Sequence, residues 1–224
     1  VQPIAFAILI GLGVWQLQRL QWKLGLIAEV NGHMAAAPLP LNRILALGPD
    51  AQYRRVALTG RCDHAREAYV FTTDAAGDAV YHVLTPLLTP GGALLVDRGM
   101  VPKDRLAPAT RAAGNATGPV HLVGVRRVPD APGLFTPAPD KAHRIWYARD
   151  VAAIAAADHL HLAAPVVIEA DATPNPGGWP KGGQTVVSFR NEHLSYAVTW
   201  FGLAAGLLGV WLSYHISKGR LAWR

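Results

Sequence analysis

The sequence is poor in sulfur. It holds one cysteine, Cys62, and two methionines. An internal disulfide is therefore excluded, and with no CxxC or CxxxC there is no basis for dithiol redox chemistry or thiolate metal transfer. A Cu(I) chaperone would need more soft ligands than these. Charge is also scarce: 16% of residues are charged, against about 25% in an average soluble domain. The formal net charge is +6. Between Pro38 and Arg190 there are 16 Lys/Arg and 13 Asp/Glu, a net of +3. The ends hold five more basic residues and two acids, Glu29 and Glu192. Half of the excess thus flanks the terminal segments, and no basic stripe interleaved with aromatics is present to bind nucleic acid. Internal repeats, low-complexity runs, an HExxH, a nucleophile elbow and a phosphate loop are all missing. Nothing reads as a catalytic centre, and the chain is expected not to be an enzyme.

What is abundant is apolar length. Leu194–Tyr214 is 21 residues without a charge, and about 20 such residues cross a hydrocarbon core. Lys218, Arg220 and Arg224 follow, so the positive-inside rule puts this tail in the cytoplasm. Val1–Gln18 is also uncharged. A cleaved signal peptide would need small residues just after it, but Gln16–Lys23 is bulky and basic. Trp15 and Trp22 suit an interfacial aromatic belt, where Arg19 and Lys23 can snorkel. Leu20, Leu24 and Ile27 recur at helical spacing and predict a stalk, ended by Pro38 and Pro40. A first residue other than methionine implies further chain upstream. Residues 1–37 are expected to form a first transmembrane helix and stalk, 38–190 an extracytoplasmic α+β domain, and 191–224 a second transmembrane helix with a basic cytoplasmic tail. The expected class is a membrane protein whose two transmembrane helices flank a mainly antiparallel-sheet domain. Both termini would be cytoplasmic, and the domain periplasmic or, in a mitochondrion, in the intermembrane space.

In the middle, strands are predicted at Tyr53–Arg61, Ala68–Thr73, Tyr81–Leu88, Ala93–Arg98, Val120–Val128, Ala164–Glu169 and Thr185–Arg190. A helix is predicted over Arg149–His159 with Asp150 as N-cap. Thr173–Gly183, rich in Pro and Gly around Trp179, predicts a long exposed loop. The expected architecture is an antiparallel sheet or small open barrel, with strand order unreadable. Asp97 and Arg98 should point to opposite sides of their strand, near a turn at Gly99 and Pro102. A structural ion pair is the simplest reading of that cluster.

Nine histidines are present, none with a cysteine at ligand spacing. His193 differs in sitting at the mouth of the second span, where Asn191 can N-cap the helix and Glu192 favours its positive end. It suits either a headgroup position or axial ligation of a haem iron by neutral imidazole. Trp200 lies on the same helical face and Tyr196 one turn away. That aromatic wall fits a porphyrin and an aromatic belt alike. Gly202, Gly206, Gly209 and Ser213 form a small-residue stripe for helix packing, against Gly11 and Gly13 of the first span or against another protein. Leu203, Leu207 and Trp211 on the other face would meet lipid or a ligand tail.

The run Gly13–Leu20 with Trp22-Lys23, the segment Tyr53–Val56 with Thr59-Gly60, Leu84–Leu87, the Asp97-Arg98-Gly99 cluster with Val101-Pro102, and Asn191–Gly202 occur in one order. Together they resemble the Surfeit-one family of cytochrome oxidase assembly proteins from end to end. Met100 and Glu192 depart from it, standing where that family usually has Trp and a second Asn. The resemblance implies a role in maturing the haem-bearing catalytic subunit of a haem–copper oxidase. It also implies transient binding of haem A, with His193 as the iron ligand. The implied partners are that oxidase subunit, membrane lipids and haem-synthesis enzymes, with no nucleic acid. A persistent accessory subunit of the oxidase, without haem transfer, is the alternative.

Overall fold

The structure is a computed structural model and describes residues 2–185, 189 and 191–220. The chain divides into two compact units, residues 1–31 with 187–224, and residues 32–186.

The first unit holds the two long helices. Helix α1 runs from Gln2 to Ala35. It continues from the uncharged segment into the stalk and stops where Pro38 and Pro40 deny it helical backbone. Both α1 and the C-terminal helix of residues 193–217 are long and apolar enough to cross a membrane, and they are the protein's membrane anchors.

The second unit is built on an eight-stranded sheet. β1 (Leu39–Pro40) leads into the short helix α2 (Leu41–Ala46). β2 (Arg55–Cys62), β3 (Ala68–Thr73), β4 (Ala79–Thr89), β5 (Gly92–Pro102) and β6 (Pro119–Arg127) follow. β7 (Ile145–Trp146), α3 (Val151–Ala157) and β8 (Leu162–Ala170) complete the domain. The last element of the chain is α4 (His193–Ser217). The sheet order is β1-β2-β6-β8-β5-β4-β3-β7, and a further pairing of β2 with β4 closes five strands into a ring. Taken in chain order, those five run first-second-third-fifth-fourth around the ring, with the third and fifth parallel. That is the arrangement of an OB-type Greek-key barrel. A parallel pair needs a long crossover, and the segment that spans β6, β7 and α3 supplies it.

The five ring strands were legible from their alternation and turns. β1 and β7 are two-residue edges with no such signal. Val56, Leu58, Leu87, Leu94, Val96, Val166 and Ile168 fill the barrel, with Ile44 of α2 among them. On its other face β5 presents Leu95, which packs with Val70, Leu84, Val167 and, from α3, Val151 and Ile154. β5 is therefore covered on both faces, which is why Ala93–Val96 is a continuous apolar run. Asp150 caps α3 as expected, its carboxylate accepting from Ala153 N–H at 3.0 Å.

One expectation needs correction and another needs refining. No turn occurs at Gly99: β5 runs on to Pro102, so Asp97 and Arg98 are buried mid-strand rather than at a strand end. The segment Thr173–Gly183 is a largely exposed loop as expected, but it is docked through Trp179, Pro180 and Lys181 rather than free. Met100 and Lys181 exchange two backbone hydrogen bonds of 3.0 Å, and Trp179 packs against the Tyr69, Tyr81, Val83 and Val101 cluster. Glycine makes this approach possible. A Cβ on Gly99, whose φ is +113°, would fall on the Lys181 carbonyl, and one on Gly114 on the Trp179 carbonyl. Pro and Gly content signals irregular backbone but not where it docks. Of the strand expected at Thr185–Arg190, residues 186–188 and 190 lie outside the described residues.

Gly99→Ala should therefore destabilise the protein by more than the ~1–3 kcal/mol of left-handed backbone strain alone. At about 2–4 °C per kcal/mol for a chain of this size, thermal unfolding in detergent should show Tm lowered by roughly 5 °C or more.

Candidate functional site

The first candidate lies where α1 and α4 meet. Small residues set the contact: Ala197 and Ala204 are buried, and a Cβ on Gly13 would overlap the Phe201 ring, at 2.6 Å. Toward the start of α4, His193 Nδ1 stands 2.7 Å from Gln16 Oε1. An amide oxygen can only accept, so Nδ1 is the donor, and in the neutral imidazole Nε2 then keeps its lone pair. That is the arrangement of a metal-ligating imidazole, whose second nitrogen is normally held by a hydrogen bond. His193 and Trp200 are half-buried and Tyr196 is exposed. Seven residues along one helix separate His193 from Trp200 by about 10 Å, with Tyr196 one turn above the histidine. Sequence reasoning missed Gln16, because nothing along the chain links positions 16 and 193.

Other details of this unit differ from expectation. α4 begins at His193, so Glu192 rather than Asn191 takes the cap position, without a side-chain cap bond. The Asn191 Oδ1 atom is buried and has no hydrogen-bond partner among the described residues. The Gly202, Gly206, Gly209 and Ser213 stripe does not pack on α1: a Cβ on any of its glycines would meet nothing among the described residues. Leu207 and Trp211 instead line an apolar groove of about 280 Å3 with Pro3, Phe6 and Leu208.

The second candidate is a buried polar cluster in the barrel domain. Arg98 points into the end of the barrel, opposite in sense to Asp97. The Glu67 carboxylate, buried to 1% exposure, accepts from Arg111 at 2.5 Å and from Arg98 at 3.2 Å. It also accepts from Thr85 at 3.1 Å and lies 2.9 Å from His64 Nδ1. Arg98 further donates to Asn115 Oδ1 at 3.0 Å and to the Gly114 carbonyl. Burial pushes the Glu67 carboxyl up, but the bonds from Arg111 and His64 and the two guanidinium charges outweigh it and hold it below its ordinary value. Cys62, nearby, is pushed up by burial, so its thiol stays protonated and unreactive.

On the opposite face, Asp97 accepts from the Gly99 N–H two residues along its own strand, 2.9 Å away, and stands 2.8 Å from His82 Nδ1. Arg149 lies 3.8 Å from Asp97 and pairs with Glu169 and, at 2.7 Å, with Asp130. Burial lowers the His82 pKa, but the Asp97 carboxylate more than offsets this, with Arg149 opposing and Glu169 assisting, so His82 is raised overall. Among the described residues no three His, Cys, Asp or Glu side chains gather to hold a metal.

These shifts fix a pH profile. Glu67 is depressed, so its contribution is complete above its ordinary 4.5 and is lost as pH falls through its lower folded value. His82 is raised, so its contribution is complete below 6.5 and is lost as pH rises through its folded value. Urea titrations across pH should show stability falling on both sides. Glu67→Gln should flatten the acid limb and His82→Gln the alkaline one. Glu67→Gln should also cost about 3–5 kcal/mol by leaving two buried guanidinium groups uncompensated.

Comparison with known proteins places the chain. The SURF1 family model matches residues 4–205. Surfeit locus protein 1 of Takifugu rubripes is 35% identical over 225 residues, covering 93% of this chain and 92% of its own. The Homo sapiens protein of the same name is 35% identical over 218 residues, 90% of this chain and 72% of its own. A SURF1-like protein of Monosiga brevicollis is 37% identical over 216 residues, 90% of this chain and 81% of its own. With a match that runs through both membrane helices and the barrel between them, this chain belongs to the SURF1 family.

Proposed function

We propose that the chain is a non-enzymatic assembly factor for a haem–copper terminal oxidase, handling haem A as cargo on its way to the catalytic subunit. The observation that carries this reading is the His193–Gln16 hydrogen bond of 2.7 Å, which leaves an oriented Nε2 lone pair at the start of α4. The cargo would supply an iron with an open axial position. Gln16 fixes the tautomer and the ring plane of His193. Trp200 and Tyr196 offer flat aromatic surface along the same face. A single protein ligand suits transfer, because release then breaks one bond. The basic residues Lys218 and Arg220 after α4 favour a cytoplasmic C-terminus, with the barrel domain on the periplasmic or intermembrane-space side. The partners in this reading are the oxidase catalytic subunit and the enzymes that make the haem.

A second reading, a persistent accessory subunit of the oxidase, is favoured by one observation. The Gly202–Ser213 face is open to another helix, and close helix packing needs no haem. Stable stoichiometric co-purification with mature oxidase would favour it.

Protein purified in detergent from cells that make haem A should show a Soret band, and His193→Ala should lose it. Gln16→Leu should weaken haem affinity roughly tenfold, as loss of a ligand's supporting hydrogen bond does. An unchanged Soret band in His193→Ala would refute ligation by His193.

A further inference from the structure

Beside the Glu67–Arg98–Arg111 cluster lies a cavity of about 380 Å3, lined by Cys62, His64, Arg98, His121, Thr173 and Asn175 with backbone around them. One wall is the first half of β6. β8 pairs with β6 as far as Gly124 and Ala170. One more bond follows, Asp171 N–H to the Val123 carbonyl at 3.0 Å, and the chain then leaves through Pro174 and Pro176. β6 continues to Pro119, paired on its other side with β2. Arg126 exchanges its backbone bonds with Tyr53 and Arg54 on the β2 side. By the alternation of an antiparallel ladder, His121 and Val123 therefore turn their backbone groups toward the cavity. Among the described residues, no strand pairs on that side of β6 beyond Gly124, and no backbone bond outside the ladders takes the His121 N–H, the His121 carbonyl or the Val123 N–H. A short length of strand edge thus remains open beside the cavity, and such an edge is a template for an added strand.

The charge around this edge is not balanced. Two arginines share the one carboxylate of Glu67, which leaves a surplus positive charge at the cavity's inner end. Asp171 is offset by Arg55 at 3.4 Å. We infer that the open edge of β6 takes an extended acidic peptide segment of a partner protein, bonded through its backbone to His121 and Val123, with a carboxylate turned toward Arg98. This does not rest on haem binding.

The probe is a dye-labelled heptapeptide of alternating threonine and valine with a central glutamate, beside a central-lysine counterpart, added to the full-length protein in detergent. Fluorescence anisotropy should show the glutamate peptide binding roughly tenfold more tightly than the lysine one, the scale of one favourable ionic contact. Amide hydrogen exchange at His121 and Val123 should slow on binding. Val123→Pro removes a donor that the β2 ladder does not use and should weaken binding roughly tenfold. Thr173→Trp fills the cavity from an exposed position, leaves β6 intact, and should weaken it likewise. Absence of binding, equal binding of the two peptides, or indifference to both substitutions would overturn the inference. Displacement of the peptide by free acetate at the peptide's own concentration would do so as well, because the edge would then contribute nothing.

Discussion

β5 is buried on both of its faces, so each charged side chain it carries must be neutralised where it stands. Asp97 faces one way and meets His82 and Arg149; Arg98 faces the other and meets Glu67. Burying an uncompensated charge costs several kcal/mol, and much of the domain's irregular structure follows from avoiding that. The segment after β5 folds back so that Arg111, Asn115 and the Gly114 carbonyl reach the cluster. The segment before α3 brings Arg149 to Asp97 and Glu169. Two connecting segments are thereby fixed, and the barrel end and its cavity take their shape from them.

The helix pair obeys a different constraint. Lipid offers its backbone nothing, so both elements are continuous helices, and contact between them is set by small residues. Ala197, Ala204 and Gly13 make the approach, and Phe201 fills the space over Gly13. A polar pair survives at the end of this contact because Gln16 and His193 satisfy each other. The glycines of the α4 stripe meet nothing among the described residues. An assembly role needs such division: one helix face held by the partner helix, another left available.

Much of this was legible in the sequence. Both membrane helices announce themselves by length and lack of charge, and the strands by alternation between Gly, Pro and Asp turns. The strand expected at Ala93–Arg98 is present as part of β5, and the opposed directions of Asp97 and Arg98 follow from its period of two. What stayed hidden was pairing at long range. Glu67, Arg98 and Arg111 form no motif, because three different segments carry them to one point. Gln16 and His193 are 177 positions apart, and neither helix alone implies the other's register. The Trp179 segment looked like free loop because Pro and Gly determine local conformation and say nothing of docking. Here Gly99 and Gly114 were the missing half of the signal, small enough to admit its backbone.

The central claim is that His193 supplies the bond to haem iron. Chemical rescue tests it directly. His193→Gly, purified with haem A, should lack the wild-type Soret and visible bands, and added imidazole should restore them by taking the vacated position beside Gln16. If His193→Gly already shows the wild-type spectrum without imidazole, another residue holds the iron and the account of this site is wrong.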